Sequence, residues 1–172
     1  MADLAEAFAR GLAAAAGTPH RGGDPVEIAL ALAGPTPAVV AVDADTDLDG
    51  IADALAAAGH EVMRPNDETW RARLPGAKIG VTRCTAALAD TGTLLLTFGP
   101  GNPRATSLLP RLHLAIVEEA DLVPSLAQGL ARVPHPLPSG MVCITGPSRS
   151  GDIEQILTLG VHGPAEVHVA LP

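Results

Sequence analysis

Three glycine-rich segments contain the residues whose types and spacing could support ligand chemistry. The first is a polar turn, Asp90-Thr91-Gly92, which precedes a strongly apolar run. A carboxylate in such a turn could face a ligand or act as a general base. A capped turn, in which Asp90 and Thr91 bond to nearby backbone amides, explains the same residues without a ligand. We predict Asp90 as the candidate catalytic residue, and Thr91 and Gly92 as candidate binding residues.

The second segment is the loop at residues 99–104, Gly-Pro-Gly-Asn-Pro-Arg, directly after an apolar run. Glycines let backbone N–H groups approach a ligand without a Cβ in the way. An arginine can make a bidentate contact with a carboxylate or phosphate. The spacing matches neither a dinucleotide fingerprint nor a P-loop, and a structured crossover loop is the alternative interpretation. The predicted anion-binding residues here are Gly99, Gly101 and Arg104.

The third segment is residues 145–154, Thr-Gly-Pro-Ser-Arg-Ser-Gly-Asp-Ile-Glu, which also follows an apolar run. This pattern predicts a strand, a tight turn and the start of a helix. A helix start offers free amides and the positive end of the helix dipole to an anion. A well-capped helix without a ligand is the competing interpretation. The predicted anion-binding residues here are Gly146, Ser148, Arg149 and Ser150.

Metal-binding patterns are weak in this sequence. His162 lies between glycines and could contact a ligand, although a lone histidine is more often structural. Residues 45–50 have the D-x-D-x-D-G opening of a calcium loop, but Ala56 occupies the position that requires a bidentate glutamate. We expect these acids to end a strand and cap the following helix. We therefore predict His162 as a ligand contact and no metal site.

The composition limits the classes of partner. The chain has 172 residues, a net charge of −8 and 2% aromatic residues, so a broad nucleic-acid surface is not expected. No run of 18 apolar residues is present, which predicts no membrane span. The two cysteines, Cys84 and Cys143, cannot by themselves supply the ligands of an iron–sulfur cluster. We expect a cytoplasmic protein that holds no cofactor of its own.

Short apolar runs that alternate with helical stretches predict an α/β fold with a mainly parallel sheet flanked by helices. Ligands of open α/β sheets bind at the carboxyl ends of the strands. We therefore expect the two loops that follow residues 98 and 145 to meet at one edge of the sheet. We also expect a helical arm and linker over residues 1–25 and the main domain over 26–172. The predicted strands are 38–42, 61–64, 78–82, 93–98, 112–117, 141–145 and 166–171; the predicted helices are 2–16, 26–33, 48–58, 124–131 and a final one from Ser148 to about Leu159.

Residues 89–119 and 144–172 resemble the LUD-domain family, in its lactate-utilisation protein C group. The resemblance lies in the Asp-Thr-Gly-Thr turn, the Gly-Pro-Gly-x-Pro-Arg loop, the Ser-Leu-Leu-Pro step and the Gly-Val-His-Gly-Pro string, which occur in the family's order. It implies a fold similar to the ribose-phosphate isomerase and CoA-transferase superfamily. It also implies a subunit that supports oxidation of L-lactate to pyruvate together with iron–sulfur partner proteins, which would hold the clusters.

Two other functions are compatible with the same residues. One is an enzyme acting on a small carboxylate, a sugar phosphate or a CoA ester, with Asp90 as the base and Arg104 and Arg149 as anion contacts. The other is a binding module that senses a small anionic metabolite without turning it over. The sequence leaves open whether the chain is catalytic.

Overall fold

Continuous apolar runs form the central strands of a parallel sheet, because strands covered on both faces need no polar side. The computed structural model describes residues 3–151, 157–159 and 162–172. Its larger sheet has six strands, and every neighbouring pair is parallel. Its strands are β1 (Thr18–Arg21), β2 (Val39–Val42), β3 (Glu61–Met63), β4 (Ile79–Arg83), β7 (Leu112–Ile116) and β12 (Glu166–Leu171), in the spatial order β1-β12-β7-β4-β2-β3.

The order of these strands creates a topological switch point between β2 and β4. From β2 the chain adds β3 on one side, returns to add β4 on the other side of β2, and then continues outward to β7 and β12. In open α/β sheets, a crevice forms outside the carboxyl ends of the strands where the direction of winding reverses. From this topology we expect a ligand crevice beside the residues that follow β2 and β4.

Helices cover both faces of the larger sheet. On one face, α2 (Pro25–Ala33) and α3 (Asp49–Ala57) pack their apolar side chains onto β2, β4 and β7. The α2 helix begins sharply because Asp24 accepts a hydrogen bond from the Val26 amide and Pro25 occupies the first turn. On the other face lie α1 (Leu4–Ala14), α4 (Trp70–Arg73) and α5 (Ala105–Leu108).

A second, smaller sheet packs on the α1 side. Its order is β8-β5-β6-β9, and β6 is antiparallel to both of its neighbours. Phe8 and Leu12 of α1 are fully buried between this sheet and the larger one. Its strands are β5 (Ala86–Leu88), β6 (Thr93–Phe98), β8 (Leu122–Val123) and β9 (Gly140–Ile144); α6 (Leu126–Leu130) covers its outer face, and β10 (Arg149–Gly151) pairs antiparallel with β11 (Leu157–Leu159).

The α/β class and the mainly parallel sheet are confirmed, and three expectations are wrong. Residues 1–25 are not a separate arm, because α1 is buried in the core and β1 pairs with β12. The strand at 93–98 and the one near 141–145 belong to the second, mixed sheet. A helix does not follow Ser148: β10 and β11 are strands, and residues 152–156 of that prediction lie outside the described residues.

The sequence predicts no membrane span, and the lengths and hydropathies of the helices in the structure bear on that prediction. Across residues 3–151, 157–159 and 162–172, no helix combines the length and hydropathy needed to cross a bilayer.

Candidate functional site

A pocket of about 230 Å³ lies at the carboxyl ends of β2 and β4, at the switch point of the sheet. One wall comes from the residues after β2, the opposite wall from Arg83 at the end of β4, and the rim from the loop after β6. We call it the switch-point pocket. Its lining residues are Asp43, Ala44, Asp45, Arg83, Gly101 and Asn102.

Backbone hydrogen bonds fix the position of Asp43 on three sides. Its amide donates to the Val81 carbonyl of β4 at 3.1 Å, and its carbonyl accepts from the Arg64 guanidinium. The next amide, that of Ala44, donates to the Gly101 carbonyl at 2.8 Å and so joins the loop after β6 to this wall. Asp43 is therefore held in place by its neighbours before any ligand arrives.

The Asp43 carboxyl is 4% exposed, and its Oδ1 atom has no hydrogen-bond partner among the described residues. Burial raises the pKa of this carboxyl to about 7; Asp45 acts in the same direction, and Thr106 and Arg64 act against it. An acid with a pKa near neutrality exists in both protonation states under physiological conditions, so it can donate or accept a hydrogen bond.

Arg83 joins the end of β4 to two neighbouring loops. Its guanidinium lies 2.7 Å from Asp47, 2.8 Å from Glu118 and 3.1 Å from Asp121. Burial opposes the charge on Arg83, but these three carboxylates outweigh it and raise the pKa. The Nε atom is buried without a partner in the described part of the chain, so one donor remains uncommitted.

A group of buried polar side chains lies beside the pocket, under α5. The Thr82 hydroxyl contacts His113 Nε2 at 2.9 Å, and the His113 ring is fully buried. Burial lowers the pKa of His113 to about 4, so the imidazole is neutral at physiological pH. The α5 helix lies directly on β4, because a Cβ added to Gly80 would be 1.9 Å from the Thr106 carbonyl oxygen.

A second, more apolar cavity of about 400 Å³ shares Arg83 with the switch-point pocket. It lies along the carboxyl ends of β4, β7 and β12, between the starts of α2 and α3. Its walls include Ile51, Ile116 and Leu171, and carboxylates such as Asp24 and Glu118 lie at the same cavity. The small polar pocket and this larger apolar cavity therefore have one guanidinium in common.

The glycine loop at residues 99–104 lies at this carboxyl edge. Gly101 lines the pocket, and the Asn102 side chain donates to the Thr97 carbonyl at 2.7 Å, which stabilises the loop from within. Gly99 begins the loop, and Arg104 is exposed immediately before α5. The structure thus places Gly99, Gly101 and Arg104 near the pocket, and their contact with an anion stays a prediction.

The turn at residues 90–92 packs on α1. A Cβ at Gly92 would lie 2.0 Å from the Leu12 amide nitrogen, and its φ of +67° favours glycine. Thr91 contacts the Thr93 hydroxyl at 2.7 Å, and Thr93 contacts Thr145 at 2.8 Å. Asp90 is exposed and accepts from the Thr91 hydroxyl at 3.3 Å. These contacts join side chains and not the backbone amides of the capped-turn interpretation, and a catalytic role for Asp90 stays a prediction.

The segment at residues 146–149 packs against the end of the same helix. The Ala15 carbonyl oxygen accepts from the Arg149 guanidinium at 2.8 Å and lies 2.4 Å from where a Gly146 Cβ would be. Ser148 donates its amide to the Pro164 carbonyl at 3.0 Å. Ser150 lies in β10, and His162 is exposed next to residues that contact Ser148. Anion binding by these residues stays a prediction, but the helix start on which it depended is not present.

The two glycine loops do not meet at one edge, so that expectation is wrong. In the antiparallel β6–β9 pair, Phe98 is opposite Gly140 and Leu94 is opposite Ile144. The loop after Phe98 and the segment after Ile144 therefore leave the pair at opposite ends, about 14 Å apart at a rise of about 3.4 Å per residue. Asp90 and Thr91 share an end with the second segment and are remote from Arg104.

Sequence reasoning missed Asp43 and Arg83, two of the three charged residues that line the pocket. A signal for Asp43 was present, because a carboxylate directly follows the apolar run at residues 38–42. Charged residues at the carboxyl ends of buried parallel strands are candidate ligand contacts. The partners of Arg83 come from two other loops, and no spacing in the sequence indicates them.

Comparisons with known proteins agree with the fold and the motifs. The family model of the LUD domain matches residues 25–171. Lactate utilization protein C of Geobacillus sp. (strain WCH70) is 40% identical over 94 residues, which are 51% of this chain and 39% of that protein. The protein of that name from Exiguobacterium sp. (strain ATCC BAA-1283 / AT1b) is 43% identical over 101 residues, 55% of this chain and 44% of the relative. The matched part is thus less than half the length of these relatives.

A solved structure extends the comparison to nearly the whole chain. The crystal structure of a DUF162 family protein from Deinococcus radiodurans aligns with a TM-score of 0.72 and covers 99% of this chain and 96% of its own. Its sequence identity of 22% supports the fold alone.

Proposed function

Because this chain belongs to the LUD-domain family, we propose that it takes part in lactate utilisation. In this proposal it is a clusterless cytoplasmic subunit that supports the oxidation of L-lactate to pyruvate together with iron–sulfur partner proteins. The observation that carries the proposal is the 40–43% identity to proteins named lactate utilization protein C over about half of the chain.

The proposal that partner proteins hold the iron–sulfur clusters is supported by the cysteine content of this chain. A biological iron–sulfur cluster takes four ligands, usually cysteines, and this chain contains two cysteines. Electron transfer through clusters is therefore assigned to the partners. The contribution that remains for this chain is to bind a small metabolite, and the switch-point pocket has the size and the polar groups for that task.

Growth experiments test this role directly. Deletion of the gene in its own organism should abolish or strongly slow growth on L-lactate as the sole carbon source, while growth on pyruvate is unchanged. Reintroduction of the gene should restore growth on lactate. Unchanged growth on lactate after deletion would remove the proposal.

A purification experiment tests the partnership separately. The tagged full-length chain, isolated from cells grown on lactate, should retain proteins that contain iron and acid-labile sulfide. Cells grown on pyruvate provide the matched sample. Loss of growth on lactate without any retained iron–sulfur protein would keep the lactate role and reject the stable complex.

A further inference from the structure

We propose that the switch-point pocket distinguishes a hydroxyl from a carbonyl oxygen through Asp43: the ionised carboxylate accepts a hydrogen bond from a ligand hydroxyl, and the protonated carboxyl donates one to a ligand carbonyl. This inference deepens the proposed function and rests on it for the choice of L-lactate and pyruvate as the pair of compounds. The two compounds differ in this one oxygen, so a single side chain could bind them in opposite protonation states.

The geometry supports Asp43 as the discriminating residue. It is 4% exposed, it lines the pocket, and its backbone is fixed by β4, Arg64 and the loop at Gly101. Its buried Oδ1 atom makes no hydrogen bond within 3.5 Å in the described chain, although the Thr106 hydroxyl is close enough to lower the pKa of the carboxyl, so the fold satisfies this group only in part. A buried polar atom that lacks a protein partner is unfavourable, because no hydrogen bond offsets the loss of its contacts with water.

Because of the charges around Asp43, we expect the pocket to select on the hydroxyl or carbonyl oxygen of the ligand and not on its negative charge. The charged groups that face it are Asp45 on its own loop, Arg64 after β3 and Arg83 at the end of β4; α5 contributes the Thr106 hydroxyl. Arg83 is already surrounded by three carboxylates, so its attraction for a further anion is weak. Its buried Nε–H has no acceptor among the described residues.

The pH dependence of binding then has opposite signs for the two compounds. The pKa of Asp43 is about 7, so the carboxylate predominates above neutrality and the protonated acid below it. An apparent dissociation constant rises as the fraction of the binding-competent state falls. Between about pH 5.5 and about pH 8.5 the protonated fraction falls about 30-fold, so the affinity for a carbonyl, which can only accept, should fall by up to that factor. The affinity for a hydroxyl should rise by a smaller factor, because the protonated carboxyl can also donate to it but the carboxylate binds it more strongly.

The test is a set of titrations of the full chain with L-lactate, pyruvate and their uncharged amides, L-lactamide and pyruvamide. Each compound is titrated at about pH 5.5 and about pH 8.5 by following chemical shifts in NMR spectra. The hydroxyl compounds should bind more tightly at the higher pH, and the carbonyl compounds at the lower pH. A common direction for all four compounds, or no binding of any of them, would overturn the inference.

Two variants separate Asp43 from its surroundings. Asp43→Asn keeps the shape, and its amide both donates and accepts, so it should bind both classes with no pH dependence. Asp53→Asn removes an exposed carboxylate of α3 that does not line the pocket and should keep the opposite pH dependences. Unchanged behaviour of Asp43→Asn would reject the inference, and circular dichroism confirms that both variants are folded.

The amides make this inference separable from the proposed function. If L-lactamide and pyruvamide show opposite pH dependences while L-lactate and pyruvate do not bind, the role of Asp43 stands and direct binding of lactate is rejected. If the gene is dispensable for growth on lactate but the four titrations follow the expected pattern, the lactate role fails and the inference about the pocket stands.

Discussion

The switch-point pocket and the surroundings of the α1 C-terminal half use the same residue types for different purposes. At the pocket, Gly101 leaves room, and Asp43 and Arg83 each keep one atom without a partner in the part of the chain that the structure describes. Around α1, Gly92 and Gly146 allow backbone to touch backbone, and polar groups such as Arg149 are paired within the fold. We call the second region, residues 90–92 and 145–149 with α1, the helix-contact region.

The contrast shows that a glycine-rich motif does not by itself indicate a ligand site. A glycine can be needed because a ligand approaches the backbone or because another segment of the chain does. In the helix-contact region the space beside the glycines is filled by α1. At the pocket, buried polar atoms of Asp43 and Arg83 lack partners among the described residues, which is an observation independent of glycine content.

The largest expected effect comes from Gly92→Ala. The new Cβ would lie 2.0 Å from the Leu12 amide nitrogen, at a φ of +67° that alanine rarely adopts. Both the clash and the strain are in the native state, so the free energy of unfolding should fall by about 4 kcal/mol. Urea denaturation measures the loss.

Gly101→Ala is the matched change in the pocket. A Cβ there would be 3.4 Å from the Ala44 carbonyl oxygen, which is an ordinary contact. The free energy of unfolding should change by less than about 1 kcal/mol. Equal losses in the two variants would show that the two regions do not use glycine differently.

The second prediction concerns pH and the buried polar groups beside the pocket. The pKa of Asp43 is raised from 3.8 to about 7 by folding, so its contribution to stability is present below about pH 4 and is lost as the pH rises through 7. The pKa of His113 is lowered from 6.5 to about 4, so its contribution is present above pH 6.5 and is lost as the pH falls. Between about pH 4 and 6.5 the two slopes oppose each other.

Single variants should separate the two opposing pH dependences of the free energy of unfolding. At 1.36 kcal/mol per pH unit, the full contributions are about 4 kcal/mol for Asp43 and about 3 kcal/mol for His113. Relative to wild type, the stability of Asp43→Asn should increase with pH, and that of His113→Gln should decrease with pH over this range. Urea denaturation at a series of pH values checks both signs; parallel curves for the three proteins would contradict the assigned pKa shifts.

The sequence allowed much of the scaffold to be predicted but little of the site. The apolar runs at 93–98 and 166–171 are strands with those bounds, because burial dictates their composition. Residues 18–21, the polar stretch TPHR, form β1 because their backbone pairs with β12 at the edge of the sheet. Backbone pairing requires no apolar side chains, so the sequence of this strand has no apolar pattern to predict it from. To predict the pocket, one must know that the residues after β2 and β4 are neighbours. That follows from the strand order, which the sequence pattern does not give.

A third prediction compares two arginines with different burial. Arg83 is 15% exposed and contacts three carboxylates, of which Asp121 is 13% exposed. Arg83→Met leaves these carboxylates without their counter-charge and should cost about 2–3 kcal/mol. Arg21 is 42% exposed where it contacts Asp3 and Glu6, so Arg21→Met should cost less than about 1 kcal/mol. Thermal unfolding at low and high salt measures both; the Arg21 pair should be the more sensitive to salt.

The smallest effect is expected from the threonine hydroxyls at the two ends of β6. Thr93 is 5% exposed and contacts the Thr91 and Thr145 hydroxyls, so Thr93→Val should lower the free energy of unfolding by about 1 kcal/mol. Thr97 is half-buried at the opposite end and shares one hydroxyl contact, with Thr85, so Thr97→Val should cost about half as much.

Ligand titrations of the same two variants extend the comparison. Since Thr93 contacts Thr91 and Thr145 of the helix-contact region, Thr93→Val should leave the opposite pH dependences of L-lactamide and pyruvamide intact. The Thr97 carbonyl accepts from Asn102 at the rim of the pocket, but Thr97→Val retains that carbonyl, so it too should preserve them. If Thr93→Val alone removed the pH dependences, the ligand would be bound in the helix-contact region, and the glycine turns would have been the better guide to the site.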